Sequence, residues 1–434
     1  MSQIQPLDSV SVPAPTVEVA RVGGPDRERA GRRRLRLPGW LKLLLGNPKS
    51  RGGIIVLSGI ILLALIAPWI AHGNPNDFSL IDSRQSPSFH HLFGTTLLHR
   101  HGIEVVIPTY RKYRWLAGLG RRARLGDLDQ QFRALFQDCD IVYSASQNVT
   151  LALAVLRAAG LFRRPIVATV HGPFRPGVES WIARGPYSMG HDKLVCMGPG
   201  VERHLREDIG VPPGKLEILP WGVDLDFYRR DLVVPPPDGP PLVVSAGKVA
   251  RDYGTLIRAV EGLPCRLVLV TSGYDPPPSG PLPANVDVVA GHGEDVALSF
   301  TELLSLYQRC RLVAVPLRQA RNARGQTGNT SLLEAMAMAR PVIMTRTDRL
   351  AFDLEGEGVG LWVEPGDVAG WRRALTRLLD DPATTRNMGE RGRALCEERY
   401  NMEVFSTRLA AILAQTLEGC RGRFSIRESP VHGS

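Results

Sequence analysis

The 434-residue sequence has no Cys-x-x-Cys pair, and its six cysteines lie far apart along the chain. This spacing excludes a disulfide scaffold and a cysteine-rich zinc site, and it favours reduced thiols in a cytosolic domain. No Gly-x-Gly-x-x-Gly dinucleotide fingerprint occurs. The content of glycine (44) and proline (34) excludes a collagen-like or low-complexity chain, and 44% hydrophobic residues exclude a wholly disordered one.

Excess positive charge is confined to one segment near the N-terminus. The net charge is +10, but residues 21–51 hold ten Lys or Arg against two acidic residues, so the rest of the chain nets only +2. The arginine cluster in residues 27–36 has no interleaved aromatic residue. We therefore expect a topogenic or anionic-lipid role and no nucleic-acid partner. Residues 1–37 are predicted to be a basic, disordered N-terminus.

Residues 52–71 form an uncharged run, GGIIVLSGIILLALIAPWIA. Twenty residues of helix span ~30 Å, which matches a bilayer's hydrocarbon core, so the run predicts a transmembrane helix. A buried core helix and a secretory signal peptide are the alternatives, although the apolar region of a signal peptide has only about 7–15 residues. Ten basic residues precede the span, and only Arg84 lies in the twenty residues after it, which predicts an N-terminus in the cytoplasm and the following chain outside.

From His101 onward, short β-branched runs alternate with helical patterns, which predicts βαβ units and parallel sheets. The Pro-rich stretch 235–241 divides this region into two halves. The fold class is therefore predicted to be α/β, with two doubly wound, Rossmann-like domains that face each other across a cleft. The predicted strands are 104–107, 140–143, 165–170 and 194–197, then 242–245, 267–271, 286–290, 312–315, 341–345 and 361–363; the predicted helices are 253–260, 302–309, 330–338 and 368–379.

The strongest local signal is a loop of small residues that leads into a helix and then a buried strand, at residues 325–343. Free loop amides and the helix dipole make the start of such a helix a phosphate site, and small residues allow close approach. Glu334, one turn into the helix, can accept two hydrogen bonds from a ribose diol. The alternative is an ordinary amphipathic helix with a solvated Glu334.

A second signal is the strand and glycine turn of residues 242–253, which carries Lys248 and Arg251 before a helix. Two cations at this place can neutralise a diphosphate leaving group, which is what a transferase needs. Taken alone, a pair of solvated surface cations explains the same pattern.

Together these segments resemble the retaining GT-B glycosyltransferases of family 4 over residues 97–418. The resemblance is carried by 330–337 (TSLLEAMA) with 341–343 (PVI), by 220–227 (PWGVDLDF), by 363–367 (VEPGD) and by 388–400. Several matches in the same order as in the family are far more specific than any single one.

The resemblance implies a role for each candidate residue. Glu334 would hold the donor ribose, Lys248 and Arg251 the diphosphate, and His171, at a strand end, would lie beside the reacting sugar. The donor-binding set is completed by the loop and first turn before Glu334, namely Gln326, Thr327, Gly328, Asn329 and Thr330. Gln326 stands where the family usually has a sugar-binding Glu, and it carries no charge to stabilise an oxocarbenium-like transition state. We identify no Asp-x-Asp metal motif, which agrees with the metal-independent chemistry, without a cofactor, that the resemblance implies.

A second resemblance covers residues 38–96, where the apolar run is followed by NPND and then HLFGT. This segment is similar to the N-terminal region of a peptide-type ABC transporter permease. No further long apolar span follows, so a complete permease is excluded. The segment stands where family 4 enzymes have their first strand and helix, so we expect a sheet that lacks its central strand.

The predicted organisation is a truncated N-terminal acceptor domain at 97–234, a nucleotide-sugar donor domain at 242–405 and a C-terminal helix and tail at 406–434. The predicted function is transfer of a sugar from a nucleotide-sugar to an unknown glycan, lipid or small-molecule acceptor with retention of configuration. The alternative is a catalytically impaired chimera of a permease start and a transferase body. We expect a single-pass protein of a bacterial-type inner membrane. Its transferase domain should be cytosolic for access to donors, although the flanking charge predicts the opposite side.

Overall fold

The computed structural model describes two α/β domains and part of the N-terminal region. The residues described are 17–22, 92–106, 113–123, 125, 127–147, 149–174, 180, 183–234, 238–273, 275–291, 298–318, 327–348 and 350–425. The predicted transmembrane helix at 52–71 and the greater part of the permease-like segment lie outside these ranges. Within them, no helix is both long and apolar enough to cross a bilayer.

The first domain has a six-stranded sheet in the order β2-β1-β3-β4-β5-β6. Its strands are β1 (Val17–Val22), β2 (Ile103–Val106), β3 (Ile141–Ser144), β4 (Ile166–Val170), β5 (Lys193–Cys196) and β6 (Leu216–Ile218). A 3₁₀ helix (Leu92–His101) precedes β2, and the helices are α1 (Arg114–Ala123), α2 (Leu128–Phe136), α3 (Leu151–Ala158), α4 (Ser188–Gly190) and α5 (Pro199–Arg203).

β1 occupies the place in the first sheet that was expected to be empty. It lies between β2 and β3 and pairs antiparallel with both: Val19 is opposite Val106 on one side and Val142 on the other. The remaining pairs, β3 with β4, β4 with β5 and β5 with β6, are parallel. Residues 17–22, which belong to the predicted disordered segment, therefore form a central strand. Backbone groups of β2 and β3 that would otherwise lack partners are satisfied in this way.

The second domain has a fully parallel sheet in the order β12-β11-β10-β7-β8-β9. Its strands are β7 (Leu242–Ala246), β8 (Arg266–Thr271), β9 (Val286–Ala290), β10 (Leu312–Val315), β11 (Val342–Thr345) and β12 (Gly360–Val363). Its helices are α6 (Tyr253–Val260), α7 (Phe300–Arg309), α8 (Asn329–Ala337), α9 (Val368–Asp380) and α10 (Pro382–Glu398), followed by α11 (Met402–Ser425).

Short polar side chains decide where several of these helices begin. The Asp252 carboxylate accepts the Thr255 N–H at the start of α6, and Asp367 accepts the Gly370 N–H at the start of α9. Ser299 and Glu302 form a reciprocal capping box at the start of α7. Each such cap satisfies amide groups that have no partner inside the helix.

The chain returns to the first domain after completing the second. α11 packs against the 3₁₀ helix, where Arg100 forms an ion pair of 2.7 Å with Glu403, and Arg408 donates to the Ile218 carbonyl at the end of β6. One hydrophobic cluster contains residues of both sheets, Ile141 and Val313 among them. The two domains therefore share a core near the crossover between them.

The predicted strands and helices of the two α/β halves agree with the structure to within two residues. β9, β10 and α6 have the predicted bounds. Two strands were not predicted: β1, and the three-residue β6 at the edge of the first sheet. The prediction of two doubly wound α/β halves is confirmed.

Candidate functional site

The structure brings the two predicted phosphate-binding segments together at the carboxyl ends of β7 and β10. The Ser331 hydroxyl, in the first turn of α8, donates a hydrogen bond of 2.9 Å to the Ala246 carbonyl at the end of β7. The turn that carries Lys248 and the beginning of α8 are therefore held side by side. Ligands of doubly wound domains bind at this edge of the sheet.

α8 begins directly after Gly328, which has φ of +90°. A Cβ at this position would approach Val315 Cγ1 to 2.8 Å, so only glycine fits without movement. Thr327, Gly328 and Asn329 are half-buried, Thr330 is exposed, and the N-cap residue of α8, Gly328, has no side chain that could cap the helix. The positive end of the helix dipole at this place favours an anion. Gln326 lies outside the described residues.

Lys248 and Arg251 have different environments. Lys248 is exposed at the tip of the turn after β7, and its carbonyl accepts the Ser272 hydroxyl at 2.6 Å. Arg251 is 3% exposed, and its guanidinium donates to the carbonyls of Ala246 and Val249 at 3.2 and 3.1 Å. Arg251 thus braces the turn from inside, and burial lowers its pKa although the nearby Asp275 opposes that shift.

Further bonds extend the Arg251 brace. Its guanidinium also donates to Ser331 Oγ at 3.3 Å, and its backbone N–H donates to the Asp275 carboxylate at 2.5 Å. Arg318 donates to the other Asp275 oxygen at 2.8 Å. In this arrangement the guanidinium supports the turn and Lys248 is exposed. The contact of Arg251 with a diphosphate stays a prediction.

Glu334 lies one turn into α8 and is 4% exposed. The Tyr307 hydroxyl on α7 donates to Glu334 Oε2 at 3.1 Å. The Tyr228 hydroxyl, from the crossover between the domains, is buried near the same carboxylate; burial first, and the Glu334 charge second, raise the Tyr228 pKa well above its ordinary value. The predicted ribose-binding carboxylate is therefore held between two tyrosines, neither of which the sequence analysis identified.

Two buried arginines attach the crossover to the end of α8. Arg340 donates to the carbonyls of Val234 and Gln308 at 2.5 and 2.6 Å, and its Nε donates to the Tyr307 carbonyl at 2.8 Å. Arg393, on α10, donates to the carbonyls of Tyr228 and Ala337 at 2.5 and 2.6 Å. These two arginines thus hold the backbone at Tyr307 and at Tyr228 in place. They escaped the sequence analysis because backbone carbonyl partners leave no pattern in a sequence.

His171 follows β4 in the first domain, as predicted. Its Nε2 contacts the Ala145 carbonyl at 2.6 Å, which requires a proton on that nitrogen, and its backbone N–H donates to Gln147 Oε1 at 2.8 Å. Burial lowers the His171 pKa, so the ring is neutral at pH 7. The bond to Ala145 therefore holds the ring in the tautomer that is protonated on Nε2. The bond to Gln147 holds the backbone of His171 at the carboxyl edge of the first sheet.

Three Asp-x-Asp triplets occur in the chain, at 127–129, 138–140 and 224–226. The Asp127 carboxylate accepts the amides of Asp129 and Gln130 at the start of α2, and Asp224 accepts those of Asp226 and Phe227. These carboxylates stabilise turns. Within the ranges that the structure describes, no group of three His, Cys, Asp or Glu side chains is arranged to hold a metal ion.

A groove of about 720 Å³ lies elsewhere on the second domain, between β8, β9 and α7. Val268, Val288 and Leu306 are among its lining residues, and none of the candidate site residues lines it. The predicted donor-site residues that the structure describes therefore lie at the junction of β7 and α8, away from this groove.

Each of the two domains matches a glycosyltransferase family model. Residues 80–227 match the family model "Glycosyltransferase Family 4", and residues 241–381 match "Glycosyl transferases group 1". The chain is 27% identical over 311 residues to the MMP alpha-(1->4)-mannosyltransferase of Mycolicibacterium hassiacum, which covers 64% of this chain and 70% of that protein.

Other similarities are more partial. The D-inositol 3-phosphate glycosyltransferase of Kineococcus radiotolerans is 30% identical over 234 residues, covering 46% of this chain and 52% of that protein, so the chain spans about half of that relative. The crystal structure of a glycosyltransferase from Rickettsia africae ESF-5 matches with a TM-score of 0.54 and 12% identity, covering 72% of this chain and 84% of the other. That likeness supports the fold.

A third kind of similarity concerns the transporter resemblance. A putative peptide transport system permease protein of Brucella abortus is 40% identical over 52 residues, which is 12% of this chain and 18% of that protein. So short a match does not confirm the permease-like segment predicted at 38–96.

Proposed function

We propose that this chain, whose two domains match the family models "Glycosyltransferase Family 4" and "Glycosyl transferases group 1", transfers a sugar from a nucleotide-sugar to a hydroxyl-bearing acceptor with retention of configuration. The observation that carries the proposal is the bond from Ser331 to the Ala246 carbonyl, which joins the start of α8 to the turn of Lys248. That junction offers helix amides, a helix dipole and an exposed cation to one diphosphate.

The donor binds to the second domain in this proposal. The diphosphate meets the first turn of α8 and Lys248, and the ribose hydroxyls meet the Glu334 carboxylate one turn further along. As the bond to the sugar breaks, negative charge grows on the departing diphosphate. A preorganised dipole and a cation stabilise that charge without reorganisation. No step requires a metal ion or a cofactor.

The acceptor approaches from the first domain, where neutral His171 lies at the carboxyl end of β4. We propose a glycan or polyol acceptor, because one relative is named for mannosyl transfer and another for D-inositol 3-phosphate. Gln326 stands at the expected donor-sugar position without a charge, so sugar selection depends on hydrogen bonding.

The test uses the full-length protein, extracted in mild detergent and incubated with a panel of nucleotide-sugars and glycan or polyol acceptors, with and without EDTA. Release of free nucleotide and a glycosylated product, with the anomeric configuration read by NMR, are the expected results. An inverted product would refute retention, and loss of turnover in EDTA would refute metal independence. Donor binding without any turnover would favour the impaired-chimera alternative.

A further inference from the structure

One helical pair of the first domain exposes an unusual amount of apolar surface. Among the described residues, ten large hydrophobic side chains are exposed, and four of them lie on α1, α2 or directly before α1. They are Tyr113 (38% exposed), Leu119 (40%), Phe132 (37%) and Phe136 (75%). Single exposed hydrophobic residues need no explanation, but a cluster of this kind marks an interaction surface.

Three of these side chains form a continuous aromatic row. The rings of Tyr113 and Phe132 meet edge to face with centroids 6.4 Å apart, and those of Phe132 and Phe136 do so at 5.2 Å. Each ring of the row therefore packs against a neighbouring ring, which leaves less ring surface open for a flat base to stack upon. Such a row suits an apolar or interfacial environment.

Basic residues flank the exposed row. Arg114 and Arg122 are exposed on α1, and the half-buried Trp115 lies one turn from Leu119 on the same helix. Residues 105–126 contain six Lys or Arg and no acidic residue. Basic side chains beside Trp, Phe and Leu on one helical surface are the composition of segments that lie in the plane of a membrane interface.

The underside of the pair is anchored to the domain. Ala117 and Ala134 are buried, and the Asp129 carboxylate accepts the Tyr113 N–H at 3.1 Å and pairs with Arg133 at 3.4 Å. The exposed row and the arginines are thus presented on a fixed support, so docking requires little ordering of the chain.

We propose that the outer surface of α1 and α2 docks on an anionic lipid bilayer, with the aromatic row and Leu119 at the headgroup level and the arginines on lipid phosphates. This surface is distinct from the predicted span at 52–71 and acts on the first, acceptor-side domain. Electrostatic attraction brings the surface to the bilayer, and burial of the apolar side chains holds it there.

The test places an environment-sensitive NBD fluorophore on this surface in the full-length protein. All six native cysteines are buried, so Leu119→Cys provides a selective labelling site, and Met189→Cys (Met189 is 67% exposed on α4) provides a control in the same domain. The label at 119 is expected to shift to the blue and brighten with vesicles containing phosphatidylglycerol, but not with phosphatidylcholine alone. The label at 189 should not respond.

A charge variant separates this surface from any other membrane-binding segment. Arg114→Gln/Arg122→Gln is expected to weaken the vesicle response of the 119 label about 30-fold, because each basic residue near an anionic surface contributes roughly fivefold. The matched control is Arg373→Gln/Arg377→Gln, which removes two exposed arginines from α9 and should leave the response unchanged.

Three results would overturn the proposal: equal responses of the two labels, equal effects of the two double variants, or a 119 label that responds to single-stranded RNA but not to vesicles. None of these readouts depends on sugar transfer.

Discussion

The Tyr307 hydroxyl donates a hydrogen bond of 3.1 Å to Oε2 of Glu334, and both side chains are buried. Tyr307 belongs to α7 and Glu334 to α8, so the bond orients the carboxylate relative to a neighbouring helix. Burial first, and the Glu334 charge second, raise the Tyr307 pKa well above its ordinary value, which keeps the hydroxyl protonated as a donor. A ribose diol that binds Glu334 would meet a carboxylate that is already in place.

Tyr307→Phe should therefore weaken nucleotide binding by about 1 kcal/mol, or roughly fivefold, because the carboxylate loses an orienting donor. Calorimetry with a nucleoside diphosphate and its 2′,3′-dideoxy form is the measurement, and the variant should discriminate less between the two. Tyr143→Phe is the control, since it loses a buried bond of 2.9 Å to Thr169 in the first sheet and leaves the nucleotide site alone. Equal affinities for wild type and Tyr307→Phe would contradict the prediction.

Glu334→Ala should weaken binding of free nucleotide and of nucleotide-sugar alike, by about 1.5–3 kcal/mol, the range for a hydrogen bond to a charged group. Gln326→Ala should spare free-nucleotide affinity and lower turnover, because this residue is expected to contact the sugar. Titration with nucleotide alone, followed by turnover at saturating donor, separates the two effects. Equal losses of free-nucleotide affinity in both variants would rule out this division of roles.

Arg251→Met and Lys248→Met should differ in what they damage. Removal of the buried Arg251 guanidinium leaves the Val249 carbonyl without its donor and takes one of two donors from the Ala246 carbonyl, which the Ser331 hydroxyl still serves. The free energy of unfolding should therefore fall by about 1–3 kcal/mol. Loss of exposed Lys248 should leave stability within about 0.5 kcal/mol and reduce affinity for the diphosphate. Urea unfolding measures the stability of both variants, and nucleotide titration measures their affinity for the diphosphate. An Arg251→Met protein of normal stability without diphosphate affinity would instead indicate that Arg251 contacts the diphosphate directly.

Ala20→Pro should disrupt the first domain and leave the second intact. Ala20 lies in β1 opposite both Val105 and Ile141, and proline in a central strand cannot donate to the ladder. The variant should lose the tertiary structure of the first domain, which is measured as faster hydrogen exchange of the amides in β2 and β3. Nucleotide binding to the second domain should persist. Val12→Pro, outside β1, is the control. Unchanged exchange protection in Ala20→Pro would show that β1 does not complete the sheet.

The free energy of unfolding should decrease as the pH falls below about 6.5. His191 contacts the Thr150 hydroxyl and the Tyr187 carbonyl, each at 2.8 Å, and burial lowers its pKa from 6.5 to about 4. Between these pH values the unfolded chain binds a proton at His191 that the folded chain excludes. The free energy of unfolding therefore falls by about 1.4 kcal/mol for each unit by which the pH is lowered. This stability is fully present above pH 6.5.

Urea unfolding at several pH values measures the effect. In His191→Gln the free energy of unfolding should depend less steeply on pH, by the contribution of one bound proton. His171, whose pKa is also lowered, contributes in the same direction and remains in the variant. An identical slope in wild type and His191→Gln would contradict the assignment to His191.

Much of the second domain could be predicted because its signals are local. β9, β10 and α6 have the predicted bounds, since apolar runs of four to six residues and a helical repeat that begins at Asp252 each report on adjacent positions. The identity of Glu334 as a candidate ligand came from its place one turn into the helix that follows a loop of small residues. The sequence analysis did not predict the bond from Ser331 to Ala246, although the carboxyl ends of neighbouring parallel strands meet at one edge of a sheet.

The amino-acid sequence by itself determined the alternation of strands and helices, the two-domain division and the segments proposed to bind the donor, because each depends on residues close together in the chain. Only the tertiary structure decided that Val17–Val22 enters the first sheet antiparallel between β2 and β3, that Arg251 turns inward to Ser331, and that tyrosines from α7 and the crossover flank Glu334. Each of these depends on pairing across tens of residues. Backbone groups and buried charges accept whichever partner the fold brings near, and that partner leaves no periodic mark in the sequence.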